Sequence, residues 1–113
     1  MNFEIITTKV FESNFKRLSK KYRSLGNDYE ILIKELLANP EMGDDLGNNT
    51  RKVRMAIASK NKGKSGGARI ITCNVLVDVI NTEIYLLTIY DKGEQESISK
   101  QGIENLKKIN GLV

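Results

Sequence analysis

The chain has no histidine among its 113 residues. That absence excludes histidine-based catalytic triads, zinc sites of the usual kind and a ribonuclease built on a histidine pair. A single cysteine, Cys73, rules out an internal disulfide and a cysteine-rich zinc site. It lies in the apolar run ITCNVLV, where a thiol is expected to be buried and inert. No apolar run approaches the roughly 18 residues a membrane helix needs. The opening MNFEIITTKVF lacks the basic start and long apolar stretch of a secretory signal. The expected setting is therefore the cytoplasm, with no metal, no cofactor and no membrane partner. Asn48-Asn49-Thr50 matches a glycosylation sequon, but nothing else in the chain suggests secretion.

Length and composition suit one globular domain over residues 1–113, large enough to form a core without staples. Asn2 to Thr7 suits a short strand. Thr8 is placed to cap a helix carrying Phe11, Phe15, Leu18 and Tyr22 as one apolar stripe, ending at Gly26. Asn27 or Asp28 is expected to cap a second helix, with Tyr29, Leu32, Ile33, Leu36 and Leu37 on one face. Pro40, the only proline, stops it together with Asn39. MGDDLGNNT reads as loop. From Lys52 to Ala58 the pattern alternates, with Val53, Met55 and Ile57 on one side and Lys52, Arg54 and Ala56 on the other.

Lys60 to Gly67 reads as a flexible loop. Arg69 to Asp78 and Glu83 to Tyr90 read as a strand hairpin turning near Asn81, too continuously apolar for its faces to be assigned. Ile98 to Ile109 fits a last helix with Ile103, Leu106 and Ile109 inward. The order β-α-α-β-β-β-α implies an α+β domain, with an N-terminal strand and helical hairpin packed on an antiparallel sheet and a helix closing the chain.

Charge is the strongest functional signal. The chain carries 18 basic and 14 acidic residues, a net of +4. Arg51 to Arg69 holds seven basic residues and no acidic one, so the rest of the chain sums to −3. Positive charge concentrated on a small domain points to a polyanion, most often nucleic acid. Lys16, Arg17, Lys20, Lys21 and Arg23 form a second basic group, read as a solvated helix face or, as the resemblance below implies, as a contact for ribosomal RNA. Gly63-Lys64-Ser65 fails as a phosphate-binding P-loop. Ala58 stands where the first glycine is required, and a strand, not a helix, is expected next.

RNA cleavage is an activity implied by the family resemblance given below, not by composition, and RNA can be cut without metal by its own 2′-hydroxyl. The reaction needs a group to take the 2′ proton, a group to stabilise the phosphorane and a group to protonate the leaving 5′ oxygen. A planar guanidinium suits the second task, which makes Arg69 and Arg54 the candidates. A lysine base would need its pKa lowered from about 10.4 to 7, roughly 4 to 5 kcal/mol. Lys60, Lys62 and Lys64 are therefore read mainly as backbone clamps, with Lys62 or Lys64 a candidate acid. Glu94, or Asp91, is the candidate base, and Tyr90 is placed to stack on a nucleobase or share a proton. Each has a structural alternative. The lysines suit a solvated turn, Arg54 an outer strand face, Arg69 an ion pair with Asp78 or Glu83, Tyr90 the core and Glu94 the surface.

The pieces Lys52-Val53-Arg54, Lys60-Asn61-Lys62-Gly63-Lys64-Ser65-Gly66-Gly67-Ala68-Arg69 and Leu86-Leu87-Thr88-Ile89-Tyr90-Asp91-Lys92-Gly93-Glu94 resemble the RelE/ParE superfamily of bacterial toxins, in its HigB-like branch. Lys60-Asn61, Asp91 and Gln95 depart from that pattern. The resemblance implies a RelE-like fold and the toxin of a type II toxin–antitoxin pair. It implies a ribosome-dependent endoribonuclease that cleaves messenger RNA and inhibits translation, held inactive by a cognate antitoxin. Arg69, Lys62, Lys64, Arg54, Tyr90 and Glu94 would then be catalytic, with Lys52, Lys60 and Lys92 on the RNA. A ParE-like gyrase inhibitor and a non-catalytic RNA-binding module are the alternatives. As a transition-state stabiliser, Arg69 is expected to matter for cleavage and little for folding.

Overall fold

The computed structural model describes residues 1–113 as strand β1 (Asn2–Thr7), helices α1 (Lys9–Lys21) and α2 (Leu25–Ala38), and strands β2 (Asp44–Gly47) and β3 (Thr50–Met55). A single 3-10 turn (Ala58–Lys60) follows, then strands β4 (Ala68–Leu76) and β5 (Asn81–Asp91) and helix α3 (Lys100–Ile109). The five strands form one sheet in the order β1-β5-β4-β3-β2. The class is α+β, as expected, but the sheet is mixed. β1 runs parallel to β5, while the other pairs are antiparallel. The two-helix connection after β1 is long enough to permit that parallel placement.

Helices α1 and α2 cover one face of the sheet. Phe11 and Leu18 from α1 and Leu25, Leu32 and Leu36 from α2 are buried there against Val53, Met55, Ile70, Ile84 and Ile89. On the opposite, outer face, Ile103 and Leu106 of α3 pack on Ile71, Cys73, Leu87 and Tyr90. Thr8 caps α1 by accepting from the Phe11 N–H at 3.3 Å, and Ser99 caps α3 by accepting from the Gly102 N–H at 3.0 Å. No helix is long and apolar enough to cross a membrane.

Three local expectations fail for identifiable reasons. Gly26 lies inside α2, and the break between the helices falls earlier, where Tyr22 turns extended. Its hydroxyl there donates to Asp91, a long-range bond with no local signature. Neither Asn27 nor Asp28 caps α2, whose N-cap is Ser24. The buried Asp28 carboxylate instead accepts from the Ser24 hydroxyl at 2.7 Å and the Ala58 N–H at 3.1 Å. The loop-like MGDDLGNNT contains β2. Its residues are exposed and it is held by the ladder to β3. Asn48 and Asn49 supply the consecutive left-handed conformations that a tight hairpin turn needs.

Gly67 closes the basic loop where backbones meet. A Cβ there would lie 2.1 Å from the Met55 carbonyl oxygen. Gly63 has positive φ but faces open space. Gly67→Ala is therefore expected to cost about 3 kcal/mol by forced overpacking, and Gly63→Ala about 1 kcal/mol through its left-handed backbone alone. Urea denaturation of the two variants measures the difference; equal costs would mean that Gly67 is not pinned against β3.

Candidate phosphate-binding site

The strand register brings three of the expected residues into one row. Arg54 on β3 is directly opposite Arg69 on β4, and Arg69 is directly opposite Tyr90 on β5. Directly opposed residues of antiparallel strands share a face, with Cα atoms about 4.5–5.5 Å apart. Tyr90 reaches this face because the β4–β5 ladder shifts register between Ile71 and Thr72. Ile84 and Leu86 face the inner core, so strict alternation would send Thr88 and Tyr90 inward too. The extra residue at Leu87–Thr88 resets the phase. Ile89 and Asp91 then point inward, and Tyr90 points outward.

Arg69 is 5% exposed. It makes no ion pair, with Asp78, Glu83 or any other acid. Its Nη1 donates to the carbonyls of Lys64 and Ala68, both at 3.1 Å, and its Nη2 donates to the Ser65 carbonyl at 3.0 Å. The guanidinium thus staples the end of the basic loop to β4, and one planar fork reaches all three oxygens. Tyr90 is 4% exposed, so its core reading is correct, yet its hydroxyl is buried without a hydrogen-bond partner. Burial pushes the phenol pKa up, and the Arg69 charge pulls the other way. Arg54 is exposed, with no ion pair and no side-chain hydrogen bond. Two arginines face each other across a ladder, where like charges repel, and no carboxylate offsets either one.

The remaining candidates separate. Lys52 lies two positions along β3 from Arg54 on the same face, and Lys62 is exposed in the loop; neither makes an ion pair. Lys92 follows β5, its ammonium donating to the Glu96 carbonyl at 3.0 Å. Lys64 reaches toward α2, 3.3 Å from Glu35. Lys60 stands apart from the Arg54–Arg69–Tyr90 row. Its ammonium lies 2.7 Å from the buried Asp91 carboxylate, on the α1 side of the sheet.

Glu94 is likewise withdrawn. Arg17 and Lys21 of α1 hold it at 3.1 and 3.2 Å. Those hydrogen bonds, from Arg17 first and then Lys21, keep its pKa below the usual carboxylate range, which weakens it as a base. Asp91 is no base either. Burial pushes its carboxyl up, but hydrogen bonds from Lys60, Tyr22 and the Gly93 N–H, together with the Lys60 charge, overcome that and hold it at about 2.

Of the seven cations between Arg51 and Arg69, four are therefore engaged: Arg51 with Asp45, Lys60 with Asp91, Lys64 with Glu35 and Arg69 with the loop carbonyls. Lys52, Arg54 and Lys62 stay open. The open set can grip phosphate, and Arg69 fixes the loop that borders it. Reading the sequence alone missed the Tyr22–Asp91–Lys60 anchor. The inward direction of Asp91 depends on the bulge, which has no local sequence signal. No protein-family model matches the chain.

Two outcomes follow from this bonding. Arg69→Ala is expected to lower stability by about 1–3 kcal/mol, because it removes charge-assisted bonds to three carbonyls. Arg69→Lys should rescue little, since one ammonium cannot span them; full rescue in urea denaturation would reject the staple. For Asp91, the folded pKa of about 2 lies below the ordinary 3.8. Its contribution, on the order of 2 kcal/mol, is complete above about pH 4 and is lost as pH falls toward 2. Denaturation midpoints between pH 4 and 2 should fall more steeply for the parent than for Asp91→Asn, and parallel profiles would remove this role.

Proposed function

We propose that the chain binds single-stranded RNA through the Lys52–Arg54–Lys62 surface and cleaves it without metal, by 2′-hydroxyl attack on the phosphate held beside the Arg54–Arg69–Tyr90 row. On this reading it is a toxin of the RelE/ParE kind, HigB-like, with a RelE-like arrangement of its sheet and helices. Its target is messenger RNA on the ribosome, and a cognate antitoxin covers the open cations. The observation that carries the proposal is the pair of directly opposed arginines with no acid beside either. A bound phosphate would supply the missing negative charge, and the planar guanidinium fork matches its oxygens. Arg54 would stabilise the phosphorane. Arg69 would act through the loop that it fixes and through its field. Lys62 would serve as the acid for the leaving oxygen.

A second reading has its own support. With Glu94 tied to α1 and Asp91 ionised in an ion pair, no carboxylate stands at the row to take the 2′ proton. That favours RNA binding without cleavage, or cleavage only when the ribosome aligns the strand. Orientation by an external scaffold contributes several kcal/mol.

Mapping transcript 5′ ends after brief induction in bacteria separates these readings. New ends within coding regions, lowered about 100-fold in Arg54→Ala, are expected. Growth arrest with unchanged transcripts would reject cleavage. In vitro, three phosphate contacts give a log–log salt slope of about −2 on single strands, and each of Lys52→Ala, Arg54→Ala and Lys62→Ala should remove about 0.7 of it. A salt-independent affinity would reject both readings.

A further inference from the structure

We propose that the groove between α3 and the β2–β3 hairpin is a second RNA-phosphate site, in which Lys107 is the buried cation and Lys52 and Lys100 are the rim. The identity of the ligand rests on the RNA reading above. The groove encloses about 480 Å³, within the range of small-ligand pockets. It opens on the outer face of the sheet, and Lys52 belongs to its lining. Two residues of extended strand, about 7 Å, separate Lys52 from Arg54. That is close to the distance between successive phosphates of an extended strand, so one RNA chain can occupy both places.

The anomaly is in α3. Its apolar spacing places Ile109 inward, but Ile109 is 71% exposed, while Lys107 is 4% exposed. A lysine therefore occupies a buried position on the helix face that carries Ile103 and Leu106. Its ammonium donates to the Asn48 carbonyl at 3.3 Å. The nearest carboxylate, Glu104, stands at 3.9 Å, too far for a hydrogen bond. An ammonium has three donors, and only one of them meets a protein acceptor within hydrogen-bond distance. Burying a cation so sparsely bonded is unfavourable, and an anionic oxygen in the groove relieves it. Lys52 and Lys100 make no ion pair. Of the acids that line the groove, Asp45 is drawn to Arg51 at 3.8 Å, and Glu104 competes directly with an incoming phosphate. Ile98 and Leu46 give the sugar and base an apolar wall.

The test is an amide-detected NMR titration with a non-cleavable 2′-O-methyl hexaribonucleotide, with adenosine 5′-monophosphate and inorganic phosphate as separate arms. The hexanucleotide is expected to shift the amides of Asn48, Ile98 and Lys100 as well as those flanking Arg54. Lys107→Met should weaken the groove response at least tenfold. Because a buried substitution can disturb the fold, Glu104→Gln on the rim is the second variant, expected to tighten binding several-fold. Shifts confined to the Arg54 region would overturn the groove and leave the proposed function standing. Shifts in the groove alone would support the groove and remove the row reading. A response to the mononucleotide or to phosphate without one to the hexanucleotide would overturn RNA as the ligand, and an unchanged affinity in Glu104→Gln would overturn the anion geometry.

Discussion

One extra residue in β5 organises both halves of this molecule. A strand presents alternate residues to its two faces, so a single insertion exchanges the faces of everything after it. The shift at Leu87–Thr88 occurs just before the last three residues of β5. Beyond it, Tyr90 is delivered to the outer face beside Arg69, and Asp91 is delivered inward toward Tyr22 and Lys60. Without the shift, Asp91 would leave Lys60 behind and Tyr90 would enter the helix-covered core. The polar row and the buried ion pair are thus two consequences of one register defect.

Those consequences meet in the basic loop. The Lys60–Asp91 pair anchors its start on one side of the sheet, and Arg69 binds the Lys64 and Ser65 carbonyls from the other. Gly67 allows the loop to press on Met55, and its carbonyl accepts from the Lys92 N–H at 3.0 Å. A run of lysines and glycines would otherwise be a mobile, self-repelling segment. Here, cations inside the run are spent on fixing it, which leaves others free at defined places. Preorganised charge is worth more to a phosphate than mobile charge, because less ordering entropy is lost on binding.

The sequence made some of this legible and hid the rest for physical reasons. The Thr8 cap, the Phe11–Leu18 stripe and the Val53/Met55 alternation are local patterns, and they appear in the fold. The break at Tyr22, the exposed strand β2 and the parallel partner of β1 depend on distant residues that no window contains. The charge cluster pointed to the segment from Arg51 to Arg69. It could not sort engaged cations from open ones, since Asp91, Glu35 and Asp45 lie far away in sequence or behind a turn. Arg54, Arg69 and Tyr90 were nameable as candidates, but their alignment required the register, and Tyr90's face required the bulge. Ile109, expected inward, is exposed at the end of α3, while Lys107, one turn after Ile103, is buried against the carbonyl of Asn48, a contact that no local window contains.

The sorting of cations bears on what any RNA-directed chemistry here must be. A self-sufficient ribonuclease places a base, an acid and a phosphate clamp within one small volume. Here the clamp elements converge, while both carboxylates near the end of β5 are neutralised by partners on the opposite side. Hydrogen bonds and ion pairs lower the pKa of both acids, which makes each a weaker base while it stays paired. Freeing Asp91 would sever Lys60 and loosen the loop that Arg69 fixes, so the molecule cannot gain a base that way and keep its clamp. On the proposed RNA-cleaving reading, the proton acceptor would therefore have to come from a residue not yet aligned, from the RNA itself or from the surface that presents it. A domain that supplies cations and leaves alignment to its target is consistent with a fold in which rigidity, not acid–base machinery, is what the buried polar groups maintain.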